Sequence, residues 1–136
     1  MKRIISLLMI VLPLCIVACT KADTGEDSTA EQTEYYVKYA SDGLNGSGVL
    51  VYNVSYTDET GKKQSFSDMT ADSFERVIGP VSVGFEASFR ISVANYNDTR
   101  TRAARIEVKK GNGPFVVKVE KSGKGYSGVS VSYTIE

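Results

Sequence analysis

The chain contains no histidine and no tryptophan, and only three prolines and two cysteines among its 136 residues. Without histidine it lacks the commonest general base and the commonest protein ligand for metals. A serine nucleophile would need lysine in place of imidazole, and Gly46-Ser47-Gly48 lacks the spacing of a nucleophile elbow. The acidic residues are scattered over turns and outer faces, with no pair marked out for carboxylate-only hydrolysis. An enzyme is therefore not expected. A surplus of positive charge is missing too, since sixteen Lys and Arg balance sixteen Asp and Glu. Nucleic acid is bound by neutralising phosphates with a basic face, so no nucleic-acid partner is expected. Nor is a metal or cofactor. The glycine-rich segment 43–48 leads into a strand, not into the helix N-terminus that cradles a phosphate. Asp68 and Asp72, with Asp58 and Glu59 near in sequence, lack the alternating oxygen ligands of a calcium loop. What is present is a globular balance of 42% hydrophobic and 24% charged residues, with twelve glycines and eight tyrosines. That composition leans towards strands and turns.

The N-terminus reads as an address. Lys2 and Arg3 precede an apolar run from Ile4 to Val17, broken only by Ser6 and Pro13. The run is shorter than the roughly twenty residues of a membrane-spanning helix and fits the apolar region of a signal peptide. It ends Ile16-Val17-Ala18-Cys19, which resembles the lipobox of bacterial lipoproteins. The resemblance implies cleavage before Cys19, lipid (palmitate among the acyl chains) on Cys19, and residence at the cell envelope as an outer-membrane lipoprotein. Cys15 would leave with the signal peptide, so the mature chain would have no disulfide, although export would permit one. Residues 1–18 are thus expected as signal peptide, and 19–33 as the lipidated cysteine and an acidic tether. The stretch 20–33 has no large apolar residue and carries Asp23, Glu26, Asp27 and Glu31 against Lys21. Such a composition is read as a disordered linker. Acidic residues at this place also resemble the export signal of surface-exposed lipoproteins in some Gram-negative bacteria. A solvated linker explains them equally well, so periplasmic and surface-exposed placements both stay open. Asp27-Ser28-Thr29 resembles an O-glycosylation sequon of such bacteria.

Residues 34–136 form the expected folded domain, and period-two alternation dominates it. Tyr35, Val37 and Tyr39 share one face, as do Leu50, Tyr52, Val54 and Tyr56. Further rows are Phe85–Ala87–Phe89–Ile91–Val93, Ala104–Ile106–Val108, Phe115–Val117–Val119 and Val129–Val131–Tyr133–Ile135. A one-residue slip would turn any of these rows to water, so the pattern constrains register as well as type. With shorter runs at Lys63–Ser67 and Phe74–Ile78, about eight strands are expected. Turn residues stand at Asp58–Gly61 and Gly111–Pro114. Thr70–Glu75 could hold one helical turn, since Thr70 and Ser73 are plausible caps. The fold class read from this pattern is all-β, an antiparallel, immunoglobulin-like sandwich of seven to eight strands, with a small barrel as the alternative.

The order YYVKYA, VYNVSYTDETGKKQSFS, RVIGPVSVGFEASFRISV and ARIEVKKGNGPFVVKVE is similar to a group of small secreted or lipid-anchored β-sandwich proteins. It also looks distantly like the MmpS-type envelope proteins, whose extracytoplasmic β-domain assists a lipid exporter. This chain departs from them in carrying a lipobox where they retain a transmembrane helix. Two functions are therefore carried forward: a lipid-anchored, non-enzymatic binding module, or an accessory subunit of an envelope transport complex. The membrane, through lipid on Cys19, is the expected partner, with a glycan or protein as a further one. Candidate binding residues are Tyr96 and Tyr126, aromatics in expected loops, and Arg100 and Arg102, which share a face of one strand in a basic cluster with Arg105. The alternative for the arginines is a solvated sheet edge that discourages aggregation. For the tyrosines it is a cover over one end of the core.

Overall fold

A computed structural model describes residues 33–42, 52–70, 73–93, 100–124 and 128–136. They form eight strands: β1 (Tyr35–Asp42), β2 (Tyr52–Thr57), β3 (Lys63–Met69), β4 (Phe74–Val81), β5 (Glu86–Val93), β6 (Thr101–Lys110), β7 (Val116–Lys124) and β8 (Val129–Thr134). Two antiparallel four-stranded sheets result, ordered β4-β1-β6-β7 and β3-β2-β5-β8. The protein is a β-sandwich. β1 to β5 and β8 have the sheet assignment and neighbour order of strands B, C, C′, E, F and G of an immunoglobulin sandwich. The hairpin β6–β7 is interposed between the last two and lies on the side of β1 that strand A takes in that fold.

The alternating rows meet between the sheets. Val37, Tyr39, Tyr52, Val54, Phe89, Ile91 and Ile106 are all 2% exposed or less. Tyr39 packs its ring 5.3 Å from Tyr56 and 5.6 Å from Phe89, and Phe74 stacks on Phe89 at 5.6 Å. Such tilted and offset pairs add to what area burial alone contributes. The Tyr39 hydroxyl is satisfied inside by donating to the Thr57 carbonyl at 2.7 Å. Two details differ from the sequence pattern. Phe74 and Glu75 belong to β4, so the helical turn expected over Thr70–Glu75 is not formed there; β4 gains more from pairing with Ser41 and Ala40 of β1. In β7 the alternation breaks, with Val116 and Val117 both 51% exposed. A bulge turns Val117 outward: Ile106 and Glu107 of β6 are consecutive, yet they face Val119 and Val117, which leaves Lys118 unpaired, while Val116, opposite the inward Val108, lies exposed on the edge strand.

Two of the other three edge strands are interrupted similarly, while β8 pairs without a break. β3 slips by one residue between its pairings of Phe66 and Met69, where Asp68 takes φ 57°. β4 slips across Gly79 and Pro80, joined by a cis peptide bond. Bulges and lysines on exposed edges hinder pairing with foreign strands. In the β2–β3 turn, the Asp58 carboxylate accepts from the Thr60 hydroxyl and amide, the Gln64 side chain and the Lys62 amide. Those donors, the Thr60 hydroxyl and Gln64 first, hold its pKa down to about 2.

Gly79 sits at φ 127°, and a Cβ there would lie 2.8 Å from the Tyr35 carbonyl oxygen. Gly79→Ala is expected to cost about 1–3 kcal/mol through backbone strain and the displaced β1 contact. Urea unfolding checks this, and an unchanged midpoint would show that the β4 bulge relaxes freely.

Candidate functional site

Four connections leave one end of the sandwich. The chain departs at Asp42, Met69, Val93 and Lys124 and returns at Tyr52, Phe74, Thr101 and Val129. The opposite end carries the entry at Tyr35, the short turns 58–62, 82–85 and 111–115, and the C-terminus. It is tied together there by Gly111 donating to the Glu34 carbonyl and by reciprocal bonds between 84–85 and Ile135. The end with the longer connections is called distal here, the other proximal. In this architecture, loops clustered at one end commonly carry recognition, since strands hold their roots rigidly.

The candidate residues distribute unevenly over this frame. Cys19, Tyr96 and Tyr126 lie outside the described residues. The strand ends that bracket Tyr96 and Tyr126 are both at the distal end. Arg100 is half-buried, immediately before β6 at that end. Arg102 is inside, 2% exposed, in the inward row with Ala104 and Ile106. It does not share a solvent face with Arg100, and burial pushes its pKa down. Nor is this stretch a solvated edge, because β6 is flanked by β1 and β7. At the distal end of β2, Tyr52 is fully buried and its hydroxyl makes no hydrogen bond among the described residues; burial raises its pKa.

Arg105 faces outward and belongs to a charged ladder that sequence spacing does not reveal. Lys38 of β1 stands opposite Glu107 of β6, and their side chains meet at 2.6 Å. Arg105 Nε donates to the other Glu107 oxygen at 2.9 Å, and its terminal nitrogen reaches Asp42. Glu107 is 8% exposed although it lies on an outer face. Burial alone would raise its pKa; the hydrogen bonds from Lys38 and Arg105 outweigh that and hold it below the ordinary carboxylate value. Phe115 covers this ladder, with the Lys38 and Lys109 ammonium groups 5.0 and 5.4 Å from its ring centre. These charges are structural neighbours of one another, and the ladder's Asp42 stands at the distal rim. Among the described residues, no three of His, Cys, Asp and Glu are grouped to hold a metal. Asp58 spends its carboxylate on its own turn, and Asp72 lies outside the described residues.

No protein-family model matches the chain, and no curated protein matches it.

Lys38→Met keeps the aliphatic stem and removes the ammonium from Glu107. A loss of about 1–3 kcal/mol is expected at pH 7. Because the Glu107 pKa is depressed in the folded state, the stability it brings is present above the unfolded value of about 4.3 and disappears as pH falls through the folded value. The difference between wild type and variant should therefore shrink towards pH 3 in urea titrations. An equal loss at both pH values would assign the effect to something other than Glu107.

Proposed function

We propose that the chain is a lipid-anchored β-sandwich of the bacterial cell envelope that binds a partner with its distal end and catalyses no reaction. The observation that carries this reading is the separation of the two ends. The polypeptide enters at Tyr35, and four connections, holding Tyr96, Arg100 and Tyr126, root at the other end. Lipid on Cys19 would hold the proximal side near a leaflet, and the residues 20–34 span up to roughly 50 Å when extended. Attachment on that side leaves the distal end free to face away from the membrane. The absence of histidine, and the use of Asp58, Asp42 and Glu107 as acceptors in turns and ion pairs, favour binding over chemistry.

The accessory-subunit reading takes second place. Docking onto a membrane transporter calls for a continuous apolar surface. The exposed Val77 and Val117 stand in one cross-strand row of the outer face but are separated by Lys38 and Glu107.

Mass spectrometry of the mature N-terminal peptide tests the anchor, with acylated Cys19 expected and an unmodified N-terminus elsewhere overturning it. For the distal end, a photo-crosslinking residue replacing Arg100 is expected to capture an envelope partner that one replacing Glu59, on the proximal side, does not. Equal capture from both positions would remove the assignment of recognition to that end.

A further inference from the structure

The outer face of the sheet β3-β2-β5-β8 differs from that of the sheet β4-β1-β6-β7. Ser55 of β2 pairs with Ser65 of β3 on one side and Arg90 of β5 on the other, and Arg90 pairs with Ser130 of β8. The next row holds Lys63 opposite Thr57, then Ser88 opposite Ser132, and beyond it Glu86 stands opposite Thr134. No large apolar side chain points outward in these rows. Two open depressions lie on the face, of about 610 and about 190 Å³, and both are lined by Thr57 and Ser88. The larger is lined also by Phe85, Ala87 and Tyr133, so the two make a groove of mixed polar and apolar lining across β2, β5 and β8. Lys63 and Arg90 line its smaller part, and Arg90 is oriented by donating to the Ser130 hydroxyl at 3.1 Å.

We infer that this groove binds an acidic oligosaccharide, with its hydroxyls over the serine and threonine floor and a carboxylate between Lys63 and Arg90. A hydroxyl both donates and accepts, so a floor of hydroxyls matches a polyhydroxylated ligand in either orientation. Serine and threonine lose little side-chain freedom when a ligand orders them, and strands hold them at fixed spacing. A protein partner would call for exposed aromatic or aliphatic anchors; the two aromatics at the larger depression, Phe85 and Tyr133, are half-buried. A nucleic acid would call for a surplus of positive charge. The four strands of this sheet carry Lys63 and Arg90 against Asp68 and Glu86. The carboxylate is placed at Lys63 and Arg90 by charge complementarity, and Glu86 disfavours a second one at the far end.

The inference rests on the chain being a binding protein but not on its distal end or its lipid. Purified full-length protein is titrated calorimetrically with sialyllactose, a trisaccharide with one carboxylate, and with its neutral methyl ester. Binding of the acid and not of the ester is expected, weakening as salt is raised. Lys63→Glu should weaken it by about tenfold or more. Ser88→Tyr, which fills the groove from an outward position, should abolish it while the thermal midpoint is kept; Lys124→Glu on β7 should leave it unchanged. Equal binding of the ester, no binding of the acid at millimolar concentration, or indifference to both groove variants would overturn the proposal. If Arg100→Glu removes binding and the groove variants do not, the groove fails while the distal reading stands.

Discussion

Two rows of inward side chains meeting across a gap of about 10 Å are the constraint on which this sandwich depends. Tyr39 from one sheet and Phe89 from the other, 5.6 Å apart, form its centre, with Tyr56 and Phe74 packed around them. No cysteine lies among the described residues, so burial carries the fold unaided by covalent staples. That places a strict demand on register, because a slip of one residue exchanges the whole inner row for the outer one. It also explains where irregularity is tolerated. The bulges fall on β3, β4 and β7, each at a sheet edge, while β1, β2, β5 and β6 pair continuously on at least one side. An interrupted edge costs little packing and blunts a template for aggregation.

The two outer faces solve the problem of exposure differently. On the β4-β1-β6-β7 sheet, long charged side chains lie down over one another: Lys38, Glu107, Arg105 and Asp42 join hands, and Phe115 and Tyr36 take lysine ammonium groups on their rings. Much of that face is occupied by its own side chains, and Glu107 ends up nearly buried without entering the core. On the β3-β2-β5-β8 sheet, short hydroxyl side chains leave the backbone surface open and grooved. A covered face and an open one thus stand back to back on the same small domain.

Polarity along the long axis adds a second division. The proximal end is finished with tight turns, one of them fastened by the Asp58 carboxylate to Thr60, Lys62 and Gln64. The distal end carries the longer connections, with Arg102 and Tyr52 turned inward beneath them. Strand β1 thus begins at the finished end, and the two longest connections stand at the other.

The alternating rows of β1, β2, β5, β6 and β8 determined strand type and which side of those strands faces inward, because a period of two admits one burial solution per strand. Sequence also determined where the tight turns stand, at Asp58–Gly61 and Gly111–Pro114, through residues that tolerate positive φ. Strand order was beyond its reach, since pairing β1 with both β4 and β6 joins segments far apart in the chain and leaves no local mark. For the same reason Lys38 and Glu107, 69 positions apart, become partners only once β1 and β6 lie side by side. Arg102 reads in sequence as a surface cation like Arg100 and Arg105. Tertiary structure placed it in the inward row of a central strand, and the bulge at Lys118 turned Val117 to the outer face. Periodicity reports the side of a strand; only the neighbours decide whether that side is covered.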